Sequence, residues 1–551
     1  MLKVGHILIL ATAYSSSALS QITQPATIAD ALTAVNKCGI DFDHKFGTRY
    51  WPNGVALYGA EYDTGWVGVF KDAAQTSTDE ISLIRDLLVK NNIRLIVLPV
   101  PNRTSMLAPS LTGKLGIDLA SINDAYKYFV NTLETKKIVT IDVLSPFLSS
   151  PNKTWAFARE AHWTEEGAEV VAKLIAKQLD TGSLDVRYEI QRETRSPTLS
   201  KFARDVFTNC NIRLPDITYN DYKFFLPSYR FYATGFSGIE DGSRVWAVGK
   251  KSALYFDSAG GKGNVKLEFS NPFDNQNINI NLNGKTIKSL QNIKSGDYSL
   301  DISAQFLKGA NTISILPNNW NWGKTIFTKS DARELSLYFK TIKLSNPSVN
   351  LMNGLEPSIS LPSESLLGDS PIKNILVGTS YSEESNGNNL KFANFIRLNS
   401  RSDVLNFSRG AGGISAAMRD FIESDQFKSN DSRSLIWEFP LNSINSDIGE
   451  LKQIEAALAF KSCTKTESGS IITNSNRPFH ADVPEVIRLQ FADKSVNKLD
   501  IKVGSSTINL TNNDRQESKG IFYFKTLGGS SNPLQIHTES PKPAKITYCK
   551  I

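Results

Sequence analysis

The spacing of apolar and polar positions changes character three times along this chain. Between residues 77 and 180, apolar residues recur at helical spacing between short apolar runs. Ser77 and Glu80 have capping-box spacing, and Ile81, Ile84, Leu87 and Leu88 follow at helical intervals. They predict a helix ending at Asn91-Asn92. Ile93-Arg94-Leu95-Ile96-Val97-Leu98-Pro99 predicts a buried strand, residues 123–135 a second helix, and Ile138-Val139-Thr140-Ile141 a second strand. Thr164 is the expected N-cap of a helix with Ala168, Val171, Ala172, Ile175 and Leu179 on one face. Helices alternating with buried strands predict a parallel sheet covered on both faces.

From about 230 to 345 the chain turns to Asn, Gly and Ser with short alternating runs. Val265-Lys266-Leu267-Glu268-Phe269, Ile278-Asn279-Ile280-Asn281-Leu282 and Thr312-Ile313-Ser314-Ile315 are examples. Many short strands at regular spacing predict a β-sandwich. Buried-strand runs resume at Ile372–Val377 and continue in Val404–Phe407 and Leu435–Phe439. A helix carrying Ala416, Ala417, Phe421 and Ile422 is expected between the last two. The α/β region therefore reads as one sheet split by an inserted sandwich. Two separate α/β domains are the alternative, but each half alone has few strands. After Cys463 the alternation is β-like to the end, as in Val486–Leu489, Leu499–Val503 and Gly520–Phe524, and predicts a terminal β-sandwich.

Composition changes this picture little. Hydrophobic residues at 40% and charged residues at 21% are ordinary for a globular protein. A net charge of +6 over 551 residues gives no reason to expect nucleic acid, though it would tolerate an anionic polysaccharide. The start of the chain matters more. Lys3, the apolar run Ile7–Ala13 and the small residues Ala18-Leu19-Ser20 before Gln21 have the layout of a cleaved signal peptide. An exported chain with Cys38, Cys210, Cys463 and Cys549 favours disulfides over metal or redox chemistry. Their order favours Cys38–Cys210 and Cys463–Cys549, although four cysteines allow three pairings. The expected division is a signal peptide at 1–20 and the first part of an α/β domain at 21–229. An inserted sandwich at 230–345, the rest of the α/β domain at 346–462 and a terminal sandwich at 463–551 complete it.

Candidate chemistry rests on five histidines. His6 leaves with the signal peptide. His44 lies in a polar loop, and His480 and His537 in the β-rich tail, where surface or structural roles are expected. His162 differs, because Glu160 stands two residues before it and Thr164 can cap the helix that follows. An acid-x-His arrangement lets a carboxylate orient the imidazole so that its other nitrogen faces a nucleophile. Ser380 follows an apolar strand and Gly378, which permits a sharp turn. Its hydroxyl would then sit at the carboxyl end of the sheet, where open α/β sheets bind ligands. Ser382 is the local alternative. Trp320 and Trp322, at i and i+2, would share one side of a strand and could stack on sugar rings or pack in a core. No metal cluster, phosphate loop or cofactor motif is read from the sequence.

The combination resembles the alginate O-acetyltransferase AlgX/AlgJ family, whose catalytic domain is SGNH-hydrolase-like. That family carries an acid-x-His-Trp-Thr element before a helix, matched by Glu160 to Thr164. Its Gly-Thr-Ser-Tyr-Ser nucleophile motif is matched by Gly378 to Ser382. Further similar stretches are Leu98–Arg103, Gly410–Gly413 and Trp437–Pro440. The family has Asp where this chain has Glu160, and glutamate fills that place in some α/β hydrolases. The resemblance implies a Ser380–His162–Glu160 triad working through an acetyl-serine, without a cofactor. Oxyanion donors would come from the N–H groups of Ser380, Gly412 and Gly413, and Arg103 and Tyr381 are candidate substrate contacts. It also implies a periplasmic enzyme, either a monomer or part of a secretion complex, with a carbohydrate-binding module at its C-terminus. Its acceptor would be an anionic or neutral exopolysaccharide, and a membrane acyltransferase would supply the acetyl group. A carbohydrate acetylesterase and a non-catalytic glycan-binding scaffold are the rival functions.

Overall fold

The computed structural model describes most of residues 65–550. Stretches left out include 108–116, 158–161, 196–209, 322–333, 351–371, 384–391 and 475–484. Of residues 1–64 it describes the paired strands Thr48–Tyr50 and Ala56–Tyr58 and isolated positions. The expected signal peptide, Cys38, His44, Glu160, Trp322 and His480 lie outside the described residues.

One parallel sheet is assembled from two distant parts of the chain. The first part gives α1 (Gly65–Lys90), β1 (Ile93–Val100), α2 (Leu119–Thr135), β2 (Val139–Thr140) and α3 (Glu165–Ala176). The second gives β3 (Asn374–Val377), α4 (Phe392–Ser400), β4 (Val404–Asn406), α5 (Ala416–Glu423), β5 (Arg433–Pro440) and α6 (Gly449–Lys461). The five strands run in the order β4-β3-β5-β1-β2. The two parts meet where β5 pairs with β1, in register from Arg433 beside Ile93 to Pro440 beside Val100.

The central strands are apolar on both faces because each face has its own helical cover. Leu95, Val97, Ile375, Val377, Leu435 and Trp437 face a core shared with α1, α2, α5 and α6. Their neighbours Ile96, Leu98, Leu376 and Ile436 face the core under α3 and α4. This is the two-residue period of a pleated strand. Strands β1 and β5, α3 with its Thr164 cap, and α5 fall where the sequence pattern places them. Helix α1 does not begin at Ser77. It starts at Gly65, and Ser77 is buried in its interior at 1% exposure. Phe70, Ala73 and Ala74 continue the same apolar face toward the N-terminus, so the Ser77–Glu80 spacing occurs inside a helix already under way. Asn92, with φ of 57°, ends the connection into β1.

Between the two parts lies an eight-stranded antiparallel sheet. The short strands expected there include segments of two long ones, Ser252–Asn271 and Gly296–Pro317. These pair from Asn271 beside Gly296 to Ser252 beside Ile315. Leu254, Phe256, Val265, Leu267 and Phe269 alternate into a core of this sheet's own. After α6 two further antiparallel sheets share one core. Ile487, Leu489, Phe522, Phe524 and Ile546 come from one, and Leu499, Ile501, Leu510 and Ile536 from the other.

Cys463, just after α6, is disulfide-bonded to Cys549 in the last strand. Cys210 is also disulfide-bonded, and no cysteine among the described residues is free. No helix among the described residues is long and apolar enough to cross a membrane.

Candidate active site

His162 and Ser380 are 218 positions apart in sequence and meet at the carboxyl end of the parallel sheet. The Nε2 of His162 lies 2.8 Å from Ser380 Oγ. Ser380 begins the turn that follows β3. Thr379 O accepts from both Ser382 N–H and Glu383 N–H at 3.0 Å, which winds the chain sharply and presents the Ser380 side chain at the rim. Among the described residues the Ser380 N–H has no acceptor.

His162 stands on a short hairpin. Phe157 N–H donates to His162 O at 3.0 Å, and Thr164 N–H to Trp155 O at 2.7 Å. Thr164 then caps α3, accepting from Gly167 N–H at 3.1 Å. Tyr381 stands edge-on to the imidazole at 5.0 Å and edge-on to Trp163 at 5.1 Å, so it limits how the His162 ring can turn.

Beneath the Ser380 turn is a buried acid that the apolar and polar pattern did not single out. Glu438 is fully buried near the end of β5. Its Oε2 accepts from Thr379 N–H and from Ser382 Oγ, and its Oε1 from Thr379 Oγ1, each at 2.8 Å. The register explains the placement. Trp437 pairs with Val377, so the next residue of β5 lies beside the turn. Burial pushes the Glu438 carboxyl up from its ordinary value, while the bonds from Thr379 and Ser382 and the attraction of His162 pull it down. Gly378 makes room for it, because a Cβ there would lie 2.5 Å from Glu438 Oε2. The signal for this residue was in view: it is the one acid in the apolar run Leu435-Ile436-Trp437-Glu438-Phe439, and a buried carboxylate has to be bonded.

A family model, the SGNH hydrolase-like domain of acetyltransferase AlgX, matches residues 65–206 and 331–441. The α/β region of this chain belongs to the AlgX/AlgJ family. The AlgX alginate biosynthesis protein of Pseudomonas fluorescens is 25% identical over 191 residues, covering 30% of this chain and 38% of that protein. A probable alginate O-acetylase AlgJ of the same organism is 36% identical over 89 residues, covering 16% of this chain and 22% of that protein. The chain thus matches about two-fifths of that AlgX and about one-fifth of that AlgJ. The solved structure of Pseudomonas aeruginosa AlgX aligns with a TM-score of 0.50 at 14% identity, covering 92% of this chain and 98% of that one. At that identity the likeness speaks for the fold.

Within this AlgX/AlgJ-type region the other expected site residues are distributed unevenly. Gly412 is not placed to donate to an oxyanion, because its N–H donates to Arg409 O at 3.0 Å. Gly413 lines a cavity of about 200 Å³ with Ser77, Ile414, Ser443, Ile444, Glu450 and Leu451. Gly410 is the glycine of this loop that lies against Ser380. A Cβ on it would sit 3.6 Å from Ser380 Cβ and 2.2 Å from Glu383 Oε2. Arg103 is not a rim cation. It is 1% exposed, and its Nη1 donates to Phe157 O at 2.7 Å, which steadies the hairpin carrying His162. Tyr381 is buried against His162 as described. Trp320 is half-buried in the loop after Gly296–Pro317. Among the described residues no group of three or more His, Cys, Asp or Glu could hold a metal ion.

Proposed function

We propose that this chain is an O-acetyltransferase that places acetyl groups on hydroxyls of an alginate-like exopolysaccharide in the periplasm. The observation that carries this reading is the 2.8 Å approach of His162 Nε2 to Ser380 Oγ. His162 removes the Ser380 proton as Oγ attacks the donor's acetyl carbonyl. The donor's leaving group departs with that proton, and acetyl-Ser380 remains. His162 then takes the proton of a sugar hydroxyl. The sugar oxygen attacks the ester, and Ser380 Oγ leaves and recovers its proton. Glu160 is the acid assigned to hold His162 in the productive tautomer. The Ser380 N–H is the first oxyanion donor, and the loop at Gly410 is placed to supply a second. Each such donor is worth on the order of 10² to 10³ in rate.

The names of the relatives support alginate or a similar polymer as acceptor, and a membrane acyltransferase as acetyl source follows from the same resemblance. In this reading residues 230–345 are a β-sandwich inserted into the catalytic fold. The family match on either side of 207–330 supports that.

The test incubates the purified protein with an acetyl ester and mannuronate oligomers and weighs the products by mass spectrometry. Ser380→Ala and His162→Ala should each lower acetylated product by roughly 10⁴-fold or more. Unchanged transfer in both variants would sink the assignment. Hydrolysis without transfer would make the protein a carbohydrate acetylesterase, and oligomer binding without turnover a glycan-binding scaffold.

A further inference from the structure

Glu438 is held by hydrogen bonds that all lead to the nucleophile turn. Thr379 and Ser382 flank Ser380, and between them they supply all three bonds given to its carboxylate. A carboxylate at 0% exposure in the middle of a sheet is costly, and a well-packed apolar residue there would often be as stable or more so. Local turn geometry alone does not need it, because Thr379 O already closes the turn through Ser382 N–H and Glu383 N–H. What the carboxylate adds is a fixed link between β5 and the side chains on both sides of Ser380. Gly378 keeps the backbone close enough for that link.

We infer that Glu438 is a positioning residue for Ser380: its carboxylate clamps Thr379 and Ser382 to strand β5 and so sets the direction from which Ser380 Oγ meets His162 Nε2. The clamp acts on both sides of Ser380, so the backbone that aims the Ser380 Cα–Cβ bond cannot shift without breaking a bond to a buried acceptor. The inference rests on Ser380 being the nucleophile of the proposed reaction.

The test uses the full-length, disulfide-bonded protein and three variants, Glu438→Gln, Ser382→Ala and Ser380→Ala. Acetyl transfer from p-nitrophenyl acetate to mannuronate oligomers gives kcat and KM. A fluorophosphonate probe reports the intrinsic reactivity of the serine without a glycan. Glu438→Gln keeps the shape but turns an acceptor into a donor facing hydroxyl and N–H groups. It should lower kcat and the labelling rate together by on the order of 10²-fold, with KM for the oligomer within about threefold. Ser382→Ala removes one strut and should cost about tenfold in the same two readouts. It decides the matter if the Gln variant fails to fold. Normal kcat and labelling in a folded Glu438→Gln protein, or a raised KM alone, would overturn the inference. If Ser380→Ala also keeps full transfer and labelling, the nucleophile assignment fails and takes this inference with it. An inactive Ser380→Ala beside a normal Glu438→Gln overturns the positioning role alone.

Discussion

Two carboxylates buried in the same α/β layer differ by what faces them. Glu438 meets three donors at the Ser380 turn. Glu80, on the buried side of α1, meets another acid, Glu455 of α6. Burial first, and then Glu455, push the Glu80 carboxyl up to about 7, with Lys452 and Lys525 offsetting part of the rise. The folded protein therefore binds a proton that the unfolded chain has already released between pH 4.5 and about 7. Stability associated with Glu80 is present below that window and is lost as pH rises through it. Glu80→Gln keeps a hydrogen-bonding group beside Glu455 and cannot ionise. Relative to the wild type it should gain about 1–2 kcal/mol between about pH 5 and about pH 8, after allowance for solvent screening. Urea unfolding of both proteins at the two pH values measures this. A wild-type-minus-variant difference that stays flat would remove Glu80 from the pH response.

At the scale of elements, the placement of His162 depends on how closely α3 approaches its own hairpin. Gly167, in the first turn of α3, passes so near the hairpin that a Cβ would lie 2.5 Å from Trp155 O and 3.3 Å from Trp163 Cβ. Gly167→Ala would improve helix propensity in isolation, yet here it must push the hairpin and its imidazole away from Ser380. The expected result is a stability loss of about 1–3 kcal/mol with a fall in Ser380 labelling of about tenfold or more. Thermal melting and fluorophosphonate labelling check the two parts separately, and full labelling in the variant would show that the hairpin can move without consequence. Elements of this kind were legible where local pattern and burial agree. β1 and β5 are continuous apolar runs because both faces of the parallel sheet are covered, and Thr164 caps α3 because its side chain can reach Gly167 N–H. Ser77 misled because a capping-box spacing also arises by chance inside a long helix. The two long antiparallel strands were visible only as fragments, since their polar and glycine-rich stretches break the alternation without breaking the hydrogen-bonded pairing. His162 and Ser380 could be singled out, but Glu438 is recognisable as part of the site only once register sets its neighbour Trp437 beside Val377. Register between distant strands is a tertiary property.

For the whole molecule, the C-terminal sheets reach back to the loop that borders Ser380. Arg409 N–H donates to Gly378 O at 2.9 Å, and the Arg409 side chain bonds Asp420 and Glu517. Asp420 accepts from the N–H groups of Glu517 and Ser518, and Asn513 Nδ2 donates to Ala411 O at 3.2 Å. Behind these, the fully buried Arg419 of α5 bonds Gln453 of α6, Asn512 and the carbonyl of Ile521. Burial lowers its guanidinium to about 10, and neighbouring Tyr523, Glu423, Asp420 and Glu450 oppose that shift. Asn512, Glu517, Ser518 and Ile521 thus lie against α5, and Asn513 and Glu517 against the 409–411 loop. A terminal module that only gathers glycan would leave the chemistry at Ser380 untouched when its docking is loosened, whereas one that braces the loop would not. Arg419→Met fills the same volume but strands the buried acceptors Gln453 Oε1 and Asn512 Oδ1, and it should cost about 3–5 kcal/mol in denaturant unfolding. Under conditions where the variant is still folded, bracing predicts that labelling of Ser380 by the small fluorophosphonate slows several-fold although that probe never touches the terminal sheets. The same variant with wild-type labelling and weakened oligomer binding would instead make the terminal sheets an appended binding module, energetically separate from the Gly410 loop.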